Sequence, residues 1–541
     1  MANSLILTIL PLVVLICFAL PNVKAATQLY SFGQDMWGQL GVRSGIGGAN
    51  NFIQSTPSSI VTSQFPQTYA SVKFVEGLSY YSSLMLVRDS NMNIIKIMGN
   101  GYQSYLPNFS TGNGFYSVQL SPAQMMDFSG TVSFVQNGKA CSILGTKDAQ
   151  SNLMLYSWGD SKHGCLGDGN TNSSRGVVNS PVSVVIPDKC KGDNLKQVSI
   201  FDHVLLFCQD SLGQYIYGFG LNENGELGSS LASSVYTPTL LSMTPLSGKI
   251  ITKVAASSKF SVVLTSDSSV YVMGTLLNCF STTTLTKITG LPIDTTQEAI
   301  VDISVTYYHI LLLTNTSKII LYGNKIMNLG QYITSTTTCG SSVLTSLVYL
   351  GSKPSKVFAS NEVIMVISNN NEIYTLGNNQ NGNIGNGNTS DISGSYKIDS
   401  ITIPSGNIIS DATINLNGNY LATSDTMYCN GVSYTNAGVC SGHGTCVTQS
   451  CICAPGYFGR NCEEFTCFGL LKNSASVCSG NGKCSSLDAC QCTNGATTSN
   501  CTGPATSNST GKQSDANSHG QSIGLMVLLC AILLWIGTLN L

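Results

Sequence analysis

Between residues 25 and 429 of this 541-residue chain, hydrophobic positions repeat in two parts. A short strand-like segment ends in an apolar or aromatic residue followed by glycine, and about 36 to 50 residues later the chain enters a largely apolar run. The glycines are Gly33, Gly99, Gly159, Gly220, Gly274, Gly323 and Gly377; the runs are 83–86, 141–144, 204–207, 261–265, 310–314, 363–367 and 420–423. Steps of roughly 50 to 65 residues fall in the range of propeller blades and exceed most helical repeats. Apolar runs bounded by polar turns suit strands buried on both faces, as inner propeller strands are, and no helix-period stripe competes. One such unit cannot bury its faces, whereas seven in a ring can. The pattern predicts an all-β chain with a seven-bladed β-propeller over 26–427. The strand before Gly33 is expected to close the ring against the segment ending near Thr423.

Four of the glycine ends share a longer form: an apolar or aromatic residue, Gly, four residues, Gly, any residue, Leu or Ile, Gly. They are Phe32-Gly33 with Gly38, Leu40 and Gly41; Trp158-Gly159 with Gly164, Leu166 and Gly167; Phe219-Gly220 with Gly225, Leu227 and Gly228; and Leu376-Gly377 with Gly382, Ile384 and Gly385. Glycine permits the positive φ of tight loops. At these residues the chain resembles the regulator of chromosome condensation family, whose repeat joins such a loop to a strand with a histidine. His203 and His309 occupy the histidine position; Ser82, Ala140, Phe260, Glu362 and Asn419 replace it in the other units. The resemblance implies the propeller. The family's guanine-nucleotide exchange on a small nuclear GTPase and its chromatin binding are not expected, because the compartment differs.

Cysteine spacing sets off the region beyond residue 427. Cys429, Cys440, Cys446, Cys451, Cys453 and Cys462 are echoed by Cys467, Cys478, Cys484, Cys490, Cys492 and Cys501, which places two six-cysteine modules at 428–463 and 464–502. Six cysteines allow fifteen pairings. The fragments Cys440-Ser-Gly-His-Gly-Thr-Cys446 and Cys478-Ser-Gly-Asn-Gly-Lys-Cys484 resemble epidermal growth factor (EGF) modules. That resemblance implies Cys429–Cys446, Cys440–Cys451, Cys453–Cys462, Cys467–Cys484, Cys478–Cys490 and Cys492–Cys501. Modules of this size need crosslinks in place of a core. Zinc on these cysteines is disfavoured in an oxidising compartment, and the acidic pattern of calcium-binding EGF modules is missing before Cys429 and Cys467, so no metal and no cofactor is expected. Six propeller cysteines suggest three further bridges, assigned as Cys165–Cys190, Cys279–Cys339 and Cys141–Cys208; Cβ separation decides such pairs.

Residues 1–25 have the apolar run and small-residue end of a secretory signal peptide. Charged residues make up 10% of the chain and the net charge is −2, and the densest positive charge is the pair Lys189 and Lys191. Nucleic acid is therefore not an expected partner. Sequons at Asn108, Asn172, Asn315, Asn388 and Asn508 are expected to carry glycans; the one at Asn500 is interrupted by Cys501. A polar stalk at 503–522 leads to an apolar tail at 523–541 without a following Lys or Arg. This fits a lipid-anchor signal attached at Ser514 or Asn517, with a short membrane span as the alternative.

Catalytic patterns are missing. Of five histidines, His163, His203 and His309 lie in the repeats, His443 in a module and His519 in the tail. No zinc-protease, nucleophile-elbow or P-loop sequence occurs. The glycine loops recur without a following helix, which favours turns over phosphate cradles. The run from Asn222 to Glu226 offers too few carboxylates for calcium, and Trp37 and Trp158 suit packing. The expectation is a non-enzymatic recognition or adhesion protein at the extracellular face of the plasma membrane. Its blade loops would meet a protein or glycan, and two modules and the stalk would lift the disc from the membrane. The alternative is an extracellular hydrolase or lyase using the propeller channel; fold alone does not choose.

Overall fold

The computed structural model describes residues 27–502 apart from internal stretches, the longest of which are 103–117 and 325–338. The expected signal segment, stalk and tail lie outside the described residues, as do Trp37, Asn108, Asn508, Ser514 and Asn517. Among the described residues no helix is long and apolar enough to cross a membrane. Seven antiparallel sheets follow one another along the chain, six of four strands and one of five, which fits the seven expected blades of an all-β propeller. Numbered by their glycines, blade 1 carries Gly33 and blade 7 carries Gly377.

Blade 4 shows the order from the axis outward: Leu195–Ile200, His203–Gln209, Gln214–Leu221 and Ser234–Leu240. Innermost strands of neighbouring blades touch from blade 3 through blades 4, 5, 6, 7 and 1 to blade 2. The apolar runs form the second strands, with a further strand inside each of them. His203–Gln209 is buried throughout, whereas Leu195–Ile200 alternates. The second strand is covered on both faces by neighbouring blades, while the innermost strand has an edge on the channel and keeps polar residues there. In blade 1, Gln28–Gln34 pairs with Gly418–Ser424, placing Leu29 opposite Ala422 and Gly33 opposite Gly418. The two ends of the propeller thus share one sheet.

Third strands end in the landmark glycines. Gly159 has φ 123°, and a Cβ there would meet Ala140 O at 2.4 Å, so a side chain would collide with backbone. The ladder shifts register at Gly33, Gly159, Gly220 and Gly274, as a bulge does. The preceding residue is turned inward: Phe32, Trp158 and Phe219 are fully buried. Phe219 lies against Gly167 of the blade 3 loop and Phe32 against Gly385 of the blade 7 loop. Phe219 and Phe32 are therefore packed beneath the preceding blade's glycine loop, which couples those neighbouring blades.

Disulfides join Cys429–Cys446, Cys440–Cys451, Cys453–Cys462, Cys467–Cys484, Cys478–Cys490 and Cys492–Cys501 in the modules, and Cys279–Cys339 between blades 5 and 6. Two expected propeller pairs are corrected. Cys165–Cys190 and Cys141–Cys208 give way to Cys141–Cys165 and Cys190–Cys208, with Cα separations of 6.0 and 5.1 Å. The reason is strand direction. Cys141 opens the second strand of blade 3, beside the glycine loop that carries Cys165, while Cys208 stands at the far end of the second strand of blade 4, beside the turn Asp188–Cys190. The expected partners lie at opposite faces of the disc.

Candidate functional site

Near its start, the innermost strand of six blades carries a polar residue followed directly by an apolar one: Lys73, Gln197, Lys253, Asp302, Lys356 and Asp411. The ladder shifts register just before the last five, and a bulge re-aims a side chain. Here the re-aimed groups tie blade to blade. Gln197 Nε2 donates to Val254 O at 2.8 Å and its Oε1 accepts from Val254 N at 3.0 Å, joining blades 4 and 5. Lys253 pairs with Asp302 of blade 6, and Lys356 of blade 7 stands 3.9 Å from the same carboxylate. Asp411 of blade 1 accepts from Phe74 N of blade 2. These contacts link neighbouring blades around the ring.

The first module covers one mouth of the channel. Its hairpin, Gly444–Val447 with Ser450–Cys453, turns at Thr448 and Gln449, both at positive φ and buried. Gln449 Nε2 donates to Val72 O at 2.8 Å, and Arg88 Nη1 donates to Gln449 Oε1 at 2.5 Å. Burial lowers the Arg88 guanidinium below its ordinary pKa, against the raising influence of Asp411. Arg460 donates to Ser133 O at 3.4 Å, and Lys196 lies 3.9 Å from Glu464. Tyr457–Phe458 pairs with Glu464–Cys467, which carries one ladder into the second module. The picture of both modules as a spacer beneath the disc is corrected: the first is seated on the channel. Module and innermost strands together enclose a cavity of about 860 Å³. In each module three cysteine sulfurs lie within 4.8 Å of one another, but all six are disulfide-bonded and offer no thiolate.

The glycine loops leave from the opposite face. Arg88 pairs with Ser71 and Ser82 with Gly101, so the start of the innermost strand and the glycine end of the third strand point in opposite directions. Two residues after the first glycine, Asp35, Asn222 and Asn379 accept the amides of Leu40, Leu227 and Ile384 at 2.8, 2.7 and 2.9 Å. Ser31, Ser157 and Thr375 donate to the carbonyls of Leu40, Leu166 and Ile384 at 2.7, 2.6 and 2.6 Å. These bonds use the turn's own amides and carbonyls, in keeping with structural turns. Glu226 is likewise engaged inside its loop, accepting from Asn224 N at 2.8 Å. The tip of the blade 3 loop is closed by Arg175 and Asp168 at 2.5 Å, with Asn170, Thr171 and Asn172 exposed. Asn315 and Asn388 are exposed as well. At the open mouth Tyr307 of blade 6 meets Phe201 of blade 4 edge to face at 4.9 Å, and Lys139 of blade 3 pairs with Asp202 at 3.1 Å.

The histidines are placed apart. His163 Nδ1 is 3.3 Å from Ser234 Oγ, and His309 Nδ1 is 3.3 Å from Thr306 Oγ1. His443 stacks on Tyr457 at 3.9 Å within the first module. His203 Nε2 contacts Ser261 Oγ at 2.8 Å, and Ser261 in turn donates to Glu226 O at 2.7 Å. Serine gives its proton to that carbonyl, so Nε2–H is the donor to serine. Burial lowers the His203 pKa to about 3, against about 6.5 in an unfolded chain. The unfolded state therefore takes up a proton first as pH falls. His203 contributes a stability loss of about 1.4 kcal/mol per pH unit, beginning below pH 6.5 and continuing toward the folded pKa. Urea unfolding between pH 7 and 5 is expected to show this slope. His203→Gln, which keeps a donor for Ser261 and does not titrate, should flatten it; equal slopes in both proteins would refute the assignment.

The polar ring on the innermost strands was not anticipated from the sequence. Its signal is a Lys, Gln or Asp followed by an apolar residue about seven to ten positions before the apolar run of every blade except blade 3, as in Lys253-Val254, Asp302-Ile303 and Lys356-Val357.

Comparison with known proteins agrees with this architecture. Residues 215–264 match the Regulator of chromosome condensation (RCC1) repeat, and residues 437–465 match the Teneurin-like EGF domain. Neither describes an enzyme. Human WBSCR16 is similar in structure with a TM-score of 0.57 and 16% identity, covering 74% of this chain and 99% of its own. Prp20p from Saccharomyces cerevisiae, described with its binding to Gsp1p and histones, gives a TM-score of 0.57 and 15% identity over 74% of this chain and 92% of its own. At such identity the likeness is one of fold. The chain carries RCC1-type repeats on a β-propeller, followed by EGF-like modules in a disulfide-rich region that suits an extracellular or secreted protein.

Proposed function

We propose that the protein is a non-enzymatic recognition or adhesion protein of the cell surface, which binds an extracellular protein or glycan through the glycine loops of its open face. The observation that carries this reading is the division of the disc: the first module covers one mouth, and loops of unequal length emerge on the other face. A rigid skeleton with irregular loops is where binding residues concentrate. RCC1-type repeats and EGF-like modules both occur as protein-interaction scaffolds, which supports a protein partner. The expected signal segment, sequons and apolar tail support a lipid-anchored or membrane-spanning glycoprotein outside the cell.

The test is a loop exchange. Replacing 168–176 of blade 3, of which 169–172 are exposed, with the shorter 229–233 of blade 4 leaves the buried turn at Gly164 to Gly167 in place. Binding of the soluble chain to extracellular protein and glycan arrays should fall about tenfold or more, a loss of at least about 1.4 kcal/mol, with an unchanged urea midpoint. Binding should weaken only modestly with salt, because the loops carry little charge. Undiminished binding by the exchanged chain would refute the loop assignment. Turnover of a substrate, abolished by one Asp, Glu or His substitution at the channel, would establish the enzyme reading instead.

A further inference from the structure

We propose that the cavity between the innermost strands and the first module binds a compact polyanion, a phosphate or sulfate ester bearing several negative charges. Lys73, Arg88, Lys196, Lys253, Lys356 and Arg460 line it, with Asp302 and Glu463 as carboxylates, while Lys147 and Asp193 pair at its exposed rim at 2.7 Å. Asp411 and Glu464 stand behind Arg88 and Lys196. With both of them counted, the cations outnumber the carboxylates among the described residues. The residues come from all seven blades and from the module, so only the closed ring assembles them.

Two groups are under-compensated where they lie. Arg88 Nε is buried without a hydrogen-bond partner, although Nη1 of the same guanidinium holds Gln449. Lys356 is 9% exposed, and its ammonium stands 3.9 Å from Asp302, beyond hydrogen-bonding distance. Surplus positive charge in a partly dehydrated space is costly, and an anion with several charges relieves it most where water screens least. A volume of about 860 Å³ accommodates a substituted six-membered ring. Arg460 is exposed and marks the side from which a ligand would enter. The site lies on the module face and does not depend on recognition by the open face.

The experiment uses the full chain and two probes, inositol hexakisphosphate and sucrose octasulfate, in calorimetric titrations. One-to-one binding of at least one probe is expected, and their relative affinity separates a phosphate from a sulfate ligand. Lys356→Met and Lys73→Gln should each weaken it about tenfold, and Asp302→Asn should strengthen it about tenfold by removing a competing carboxylate. The double substitution Lys189→Gln, Lys191→Gln, in the connection between blades 3 and 4, should leave it unchanged. If Lys356→Met does not fold, Lys73→Gln, checked by circular dichroism, decides alone. Failure of both probes to bind overturns the proposal. So does binding of several equivalents that the outer pair reduces as much as Lys73→Gln does.

Discussion

Asp302→Ala is expected to destabilise the propeller by about 3–5 kcal/mol, seen as a lower urea midpoint of the full chain. The carboxylate is 6% exposed and lies between Lys253 of blade 5 and Lys356 of blade 7, while also accepting from Ile303 N at 2.9 Å. Its loss leaves two ammonium groups facing a cavity already rich in cations. Breaking one side of a buried ion pair costs more than the pair contributes, because the remaining charge has lost both water and partner. The triple replacement Asp302→Leu, Lys253→Met, Lys356→Met should recover most of the loss, since apolar groups of similar size need no partner. A loss below about 1 kcal/mol for Asp302→Ala would place these groups in the class of screened surface pairs and remove the polar ring from the account.

Removing the disulfide beside the cap should have the second large effect. Cys440–Cys451 anchors the hairpin strand that leads from Gln449, and a small module without one of its bridges typically loses about 2–5 kcal/mol. The double variant Cys440→Ser, Cys451→Ser should release Gln449 from Val72 and Arg88. The channel-facing amides of Ser71–Phe74 would then exchange with solvent roughly ten- to a hundredfold faster, as expected for a local opening that has become easier by that order. Amides of buried second strands such as His203–Gln209 should keep their protection. Unchanged exchange at Ser71–Phe74 would mean that the hairpin does not shield the channel.

The blades were legible because their signals are local. Gly159 announces a bulge that tolerates no side chain, and an apolar run such as 204–207 announces a strand covered on both faces. Ring closure was legible from the count of landmarks, and Leu29 does stand opposite Ala422. What stayed hidden depends on three-dimensional convergence. Lys73, Lys253 and Lys356 are far apart in the chain and none has another charged residue within two positions, so a search for charge density finds Lys189 and Lys191 instead. The propeller cysteines failed for a related cause: spacing does not reveal which end of a strand a residue occupies, and Cys141 and Cys208 sit at opposite ends. Gln449 gave no sign of its role, since a turn in a crosslinked module looks the same whether it meets solvent or a channel.

The seating of the first module over one mouth of the propeller underlies the proposal that the loop face serves recognition. Zero-length carbodiimide crosslinking of the full chain, followed by peptide mass spectrometry, tests it most directly. Lys196 of blade 4 lies 3.9 Å from Glu464, the first residue of the second module, which pairs with Phe458 of the first, while Lys472 lies 3.5 Å from the same carboxylate beyond the propeller. A seated module yields peptides joining Lys196 to Glu464 as well as those joining Lys472 to Glu464. A module that swings free of the disc yields only the Lys472 link, with unmodified Lys196 peptides recovered in quantity, and that result would contradict the account.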